Sequence, residues 1–229
     1  MDAIQHDSAK PLVASTSSSS SMVQCQPSQR LVCLPLPCPH VAFSFDEKER
    51  TCFRLTYAPL MLLLGCEGID CYSYDGDLDQ VNSMYKNLLQ VMMDKGPFDG
   101  LMGFSEGGGV VSSLLVQDAR RGQPCQQFKC GIFFNAAMPV DPAIVQTGER
   151  REMNMSTDGV VINVPTAHIW SPTGDVNPGM GADLVHLCDK NVREEFIHHL
   201  GHEVPGSMSS ECFTGTLRVI ERTIERAKM

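Results

Sequence analysis

The sequence predicts an α/β fold, a mostly parallel sheet with helices on both faces, on three observations. Short, wholly apolar runs such as Gly131-Ile132-Phe133-Phe134 read as strands buried on both sides. Stretches with apolar residues at helical spacing separate them. A Gly-x-Ser-x-Gly pentapeptide, Gly103 to Gly107, stands where a strand pattern passes into a helix pattern.

Residues 1–29 include Ser17 to Ser21 in a row and almost no aromatics, so they cannot bury enough apolar area to offset chain entropy. They are expected to form a disordered Ser/Gln-rich tail before a single domain at 30–229. Leu31-Val32-Cys33-Leu34 predicts a buried strand stopped by Pro35 and Pro37. Cys52 to Leu64 predicts a helix broken near Pro59, and Cys71 to Tyr74 a strand turning at Asp75-Gly76. Asp79 to Lys95 has Val81, Met84, Leu88 and Val91/Met92 near a helical period, with Asp79 as cap and Gly96-Pro97 as stop. Phe98 to Phe104 predicts a central strand, and Glu106 to Ala119 a helix closed by Gly122.

Further on, Gly131 to Asn135 predicts a strand, while Asp141 to Val160 has no period and reads as a loop or mobile cap. Val164 to Trp170 predicts a strand, Gly181 to Cys188 a helix, and Glu195 to His199 the last strand. Ser210 to Lys228 is amphipathic, with Phe213, Leu217, Ile220 and Ile224 on one face. No internal repeat is visible.

Composition excludes several classes. Eighteen Lys+Arg against 27 Asp+Glu give a net charge of −9, which argues against a nucleic-acid partner. No apolar run approaches the roughly 20 residues of a membrane span, the longest candidate lying around Leu60 to Leu64. The ten cysteines include no Cys-x-x-Cys pair; Cys33/Cys38, Cys66/Cys71 and Cys125/Cys130 have a spacing that fits no common metal module. Several sit in apolar runs, and Met1 to Lys10 has no basic start leading into an apolar segment. Free thiols in a reducing, cytoplasmic compartment are expected.

The chemistry centres on Ser105. The pentapeptide is weak evidence alone, but a sharp strand-to-helix turn there exposes the hydroxyl at a helix N-terminus, where backbone N–H groups favour a developing oxyanion. Gly107-Gly108-Gly109 is poor helix sequence unless close packing or a bound group requires it. The alternative reading of the segment is an ordinary Gly-rich strand–helix turn. A serine nucleophile needs a base, and the base an orienting carboxylate, in the chain order Ser, acid, His on such a scaffold. Asp175 follows the Val164–Trp170 strand and His202 follows the last strand, after Gly201. His198, His199 and His168 fall within strands and His186 on a helix, where packed or surface imidazoles suit them. For Asp175 the alternative is a turn aspartate capping the next helix; Asp183 and Asp189 are weaker candidates for the acid.

Gly96-Pro97-Phe98-Asp99-Gly100 leading into Gly103-Phe104-Ser105-Glu106-Gly107-Gly108 resembles the fungal serine hydrolase family of small α/β-hydrolases. Val164-Pro165-Thr166-Ala167-His168 ending at Asp175, Leu187-Cys188-Asp189 and Gly201-His202-Glu203-Val204-Pro205 resemble its acid and histidine segments, and Phe53 to Leu60 its first helix. The likeness covers most of residues 30–220. It implies an α/β-hydrolase fold, Ser105 as nucleophile, Asp175 as acid and His202 as base. It also implies esterase or thioesterase activity on small-molecule acyl substrates, often in polyketide pathways and sometimes on an acyl-carrier domain.

Two departures stand out. The family's first strand runs into Leu-His-Gly, whose loop supplies an oxyanion N–H; here Leu34-Pro35-Leu36-Pro37 stands there, and proline has no N–H. Glu106 gives one oxyanion contact, and unless Leu36 or Cys38 supplies the second, a slow enzyme is expected. The loop from Pro37 to Thr51 looks long, and Asp75 to Asp94 looks short, which leaves the entrance open. No metal or organic cofactor is required, because side chains alone activate the nucleophile. Thirteen methionines, with Met153 and Met155 among them, line an acyl pocket or, more commonly, fill the core. The rival readings are a catalytically weak binder of a metabolite or carrier, and lyase or cyclisation chemistry on the same scaffold.

Overall fold

Side chains pointing alternately to opposite faces let each strand of a fully covered sheet feed two cores, and that is the plan here. The computed structural model describes the backbone of residues 31–34, 42–44 and 54–56, and residues 78–95, 98–122, 128–145, 147–175 and 179–229. The expected tail at 1–29, the strand at 71–74, and the Pro35–Pro37 turn with Leu36 and Cys38 lie outside these residues, as do most of the Pro37–Thr51 loop and most of Cys52 to Leu64.

Five parallel strands form the sheet in the order β1 (Leu31–Leu34), β4 (Gly100–Phe104), β5 (Cys130–Phe134), β6 (Thr166–Trp170) and β7 (Arg193–Ile197). On one face, Leu101 and Phe133 pack with Val110, Val111, Leu114 and Leu115 of α2 (Glu106–Arg121) and with Leu184 of α5 (Met180–His186). Val81 and Met92 of α1 (Leu78–Lys95) join them. On the other face, Met102, Ile132, Phe134, Ala167 and Ile169 meet Val219, Ile220 and Ile224 of α6 (Ser210–Arg226). This is the layered α/β-hydrolase arrangement that the sequence predicts.

Four expectations are corrected. Arg54–Thr56, expected in a helix by pattern and by resemblance, is a strand, β3, paired antiparallel with β2 (Ala42–Ser44). The Phe53 to Tyr57 stretch is rich in aromatic and β-branched residues, and that preference outweighs the apolar run after it. Asp79 is not a cap: α1 begins at Leu78, so the carboxylate sits in the first turn, where the helix dipole favours it. The last strand ends at Ile197, leaving His198 buried and His199 exposed in the loop beyond it.

The fourth correction concerns the expected loop or mobile cap. Asp141 to Val160 instead carries two short helices, α3 (Pro142–Val145) and α4 (Met155–Asp158), and a bridge between Val140 and Glu152. Val145 and Met153 are buried, so Met153 is core filling, whereas Met155 is exposed. Arg120 donates to both Asp141 carboxylate oxygens (2.6 and 3.1 Å), and Arg151 joins Asp141 (2.7 Å) to Asp158 (2.7 and 2.9 Å). These arginines hold both carboxyls below the usual carboxylate range, Asp141 chiefly through Arg120 and Asp158 chiefly through Arg151.

Candidate active site

β4 delivers the chain to Ser105, whose backbone bends at φ 55 and ψ −126. A non-glycine residue there costs on the order of 1–3 kcal/mol, so its surroundings must enforce it. They do so through the main chain. Ser105 N–H donates to Phe134 O (2.9 Å), and Ser105 O accepts from Gly108 N (3.0 Å) and Ala137 N (2.9 Å). Glycine is required at 103, where a Cβ would stand 2.3 Å from Gly107 O, and at 108, where it would meet Ala136 Cβ at 2.2 Å. The poor helix sequence after Ser105 is therefore the cost of packing α2 against β4 and the β5 loop. Glu106, first in α2, has a backbone N–H with no intrahelical acceptor, beside the Ser105 hydroxyl.

Two further loops converge on that hydroxyl. Asp175 follows β6, His202 follows β7, and the loops touch through glycines with positive φ: 70° at Gly174 and 72° at Gly201. A Cβ on Gly201 would lie 2.8 Å from Gly174 O, and His202 N–H donates to that same oxygen (3.3 Å). The result is a chain of side-chain contacts. His202 Nδ1 lies 2.8 Å from Asp175 Oδ1, and His202 Nε2 lies 2.9 Å from Ser105 Oγ. An ionised carboxylate only accepts, so Nδ1–H donates to Asp175 and Nε2 is left to accept the serine proton. The Phe104 ring stands 4.8 Å from the imidazole and walls it on one side. Such a chain can abstract the hydroxyl proton and return it to a leaving group.

The structure brings Ser105, Asp175 and His202 together, with the Glu106 N–H beside them. Leu36 lies outside the described residues. The other candidates go elsewhere. Asp183 is in the first turn of α5, and Asp189 accepts from Asn191 N–H (2.9 Å). His168 is buried against Phe133 and Thr166, and burial pushes it down to about 3, so it stays neutral. His198 is likewise lowered, first by burial and then by His199, with Asp175 pulling the other way. Sequence reasoning passed over Asn135. Its one local signal is a residue tolerant of positive φ directly after an apolar strand.

Among the described residues no cluster of three or more His, Cys, Asp or Glu is placed to hold a metal ion, and no helix is long and apolar enough to cross a membrane. Cys130, Cys188 and Cys212 are free and buried, and burial pushes the Cys130 and Cys188 thiols up to about 12.

Residues 67–211 match the family model described as serine hydrolase (FSH1). The chain is 30% identical over 142 residues to esterase FPY3 of Fusarium mangiferae, covering 62% of this chain and 63% of that one. It is 36% identical over 140 residues to hydrolase phiM of Talaromyces stipitatus, covering 56% and 52%. Against esterase OVCA2 of Danio rerio the identity is 29% over 122 residues, covering 52% and 48%. The chain thus spans less than two thirds of the length of each of these relatives. Among solved structures, an extracellular α/β-hydrolase from a Paenibacillus species has 13% identity and a TM-score of 0.38, over 66% of this chain and 80% of that one.

Proposed function

The chain belongs to the FSH1 serine hydrolase family, and on that premise we propose that it cleaves an acyl ester or thioester through Ser105. His202 Nε2 takes the hydroxyl proton as Ser105 Oγ bonds to the carbonyl carbon, and the carbonyl oxygen becomes an oxyanion. The Glu106 N–H, at the positive end of α2, donates to that oxyanion, and Leu36 contributes the second donor. Collapse expels the alcohol or thiol, which receives the proton from the imidazolium, leaving an acyl-serine. Water, deprotonated by the same imidazole, then releases the acid and restores the hydroxyl. Asp175 keeps the imidazole in the required tautomer and balances its charge while it is protonated.

The observation that carries this reading is the unbroken run of contacts Ser105–His202–Asp175 at 2.9 and 2.8 Å. The motif resemblance extends the proposal to polyketide-type or other secondary-metabolite acyl groups, free or on an acyl-carrier domain. The free buried thiols support a cytoplasmic setting.

The test is fluorophosphonate labelling of wild type and Ser105→Ala, followed by a panel of acyl esters and thioesters with mass spectrometry of the Gly103–Gly107 peptide. Expected are a label and an acyl adduct on Ser105 in the wild type, and neither in Ser105→Ala. A folded wild type that takes no label overturns the hydrolase reading in favour of a binding role. One observation favours that second reading: Pro35 and Pro37 flank the expected second oxyanion donor. Were that donor missing, the barrier would rise by roughly 2.7–4 kcal/mol and turnover would be slow. Labelling without ester turnover points to lyase or cyclisation chemistry instead.

A further inference from the structure

The three groups of the site come from three loops, and two of those loops pivot on glycines, so something must hold them in register. Gly174 and Gly201 allow the close approach of the Asp175 and His202 loops, but they do not enforce it. Asn135, just beyond β5 at φ 39 and 5% exposed, reaches both. Its Oδ1 accepts from Ser171 N–H (2.9 Å), at the start of the loop that carries Asp175. Its Nδ2 donates to Glu203 O (2.9 Å) and Gly201 O (3.4 Å), the two residues that flank His202. Its backbone N–H donates to Ile169 O (2.9 Å) on β6, and its neighbours Phe134 and Ala137 bind the Ser105 main chain. Residues 134–137 therefore touch all three loops, and the carboxamide makes the links that its own loop does not need.

We propose that Asn135 is a positioning residue, whose carboxamide holds the acid and base loops in register with Ser105. The proposal rests on the triad reading above and adds a residue to it. A carboxamide suits the task because one end accepts and the other donates twice, without adding charge beside the imidazole. It is buried, so each bond is made in a medium that leaves no cheap substitute from water. Asparagine also tolerates the positive φ that aims it between the loops.

Two full-length variants test this. Asn135→Gly keeps the backbone bend without strain and removes the carboxamide. Asn135→Asp keeps the shape and the acceptor for Ser171, but turns an oxygen toward the Gly201 and Glu203 carbonyls. Three readouts are needed: kcat and KM for an activated ester, thermal unfolding, and the low-field proton resonance of the His202 Nδ1–H bonded to Asp175. Expected in both variants is a kcat roughly tenfold to a hundredfold lower, since small misplacements of reacting groups cost that much. KM should stay within about twofold, the resonance should vanish, and unfolding should remain cooperative. Any other combination in a cooperatively unfolding variant overturns the proposal, as does loss of cooperative unfolding in both. If the wild type turns over no ester but shows the resonance, the hydrolase reading fails alone, and the resonance in the variants still decides the role of Asn135. A wild type without the resonance overturns both.

Discussion

The junction of Ser105, Asp175 and His202 and the flank at residues 141–158 are built by opposite means. The junction relies on missing side chains and neutral donors: Gly103, Gly108, Gly174 and Gly201 let backbones approach, and main-chain N–H groups and a carboxamide tie them. The flank relies on charge. Arg120, Asp141, Arg151 and Asp158 clamp a segment whose only buried anchors among its large apolar residues are Val145 and Met153. The difference teaches where each device is useful. Three distant stretches meeting at one hydroxyl need space removed with low tolerance, whereas a stretch short of apolar surface needs strong bonds to a rigid helix, here α2 through Arg120.

The contrast breaks most visibly at Gly201. Gly201→Ala places a methyl 2.8 Å from Gly174 O at a residue with φ 72. Ester hydrolysis should fall by about a hundredfold, while Tm should fall by only about 2–5 °C. Equal activity in wild type and variant would show that the two loops need no such contact.

Asp141→Ala should do the reverse. It strands the Arg120 guanidinium and leaves Arg151 with Asp158 alone, so Tm should drop by about 4–10 °C while kcat at 25 °C stays within about threefold. Acid sharpens the point. Both flank carboxyls titrate lower in the folded chain than in the unfolded one, so their stabilisation is complete above roughly pH 5 and is lost as pH falls through about 4 and below. The Tm gap between wild type and Asp141→Ala, followed by calorimetry from pH 6 to pH 3, should therefore narrow on acidification. A constant gap would mean that Asp141 acts by packing alone. The smallest effect belongs to Arg151→Lys, which keeps the charge and loses the fork that joins Asp141 to Asp158; a Tm change of about 1–3 °C is expected.

The same contrast governs what could be read from the chain. Strands β4, β5 and β6 and helices α1, α2 and α6 announce themselves through apolar period and through Gly122, because those signals are local. So does the order Ser105, Asp175, His202, since each residue follows a strand pattern. Helices α3 and α4 span four residues each, too few to show a period. The stripe on α6 was legible but shifted: Cys212, Thr216, Val219 and Thr223 share burial with Ile220 and Ile224, while Phe213 and Leu217 stay at the margin. The clamp leaves no trace and Asn135 only its tolerance of positive φ after a strand, because their partners stand up to 68 residues away and hydrogen bonding across that distance imposes no pattern on the chain.

The bend at residue 105 has a consequence for chemical exchange. With φ at 55, a side chain branched at Cβ is heavily penalised. Threonine, also an alcohol, would have to rebuild the turn before it could serve. Cysteine shares the unbranched outline of serine and enters the same turn at no penalty beyond the one serine already bears. The backbone, rather than the reactivity of the group, thus decides which swaps are open: a thiol in place of the primary alcohol, but never a secondary one.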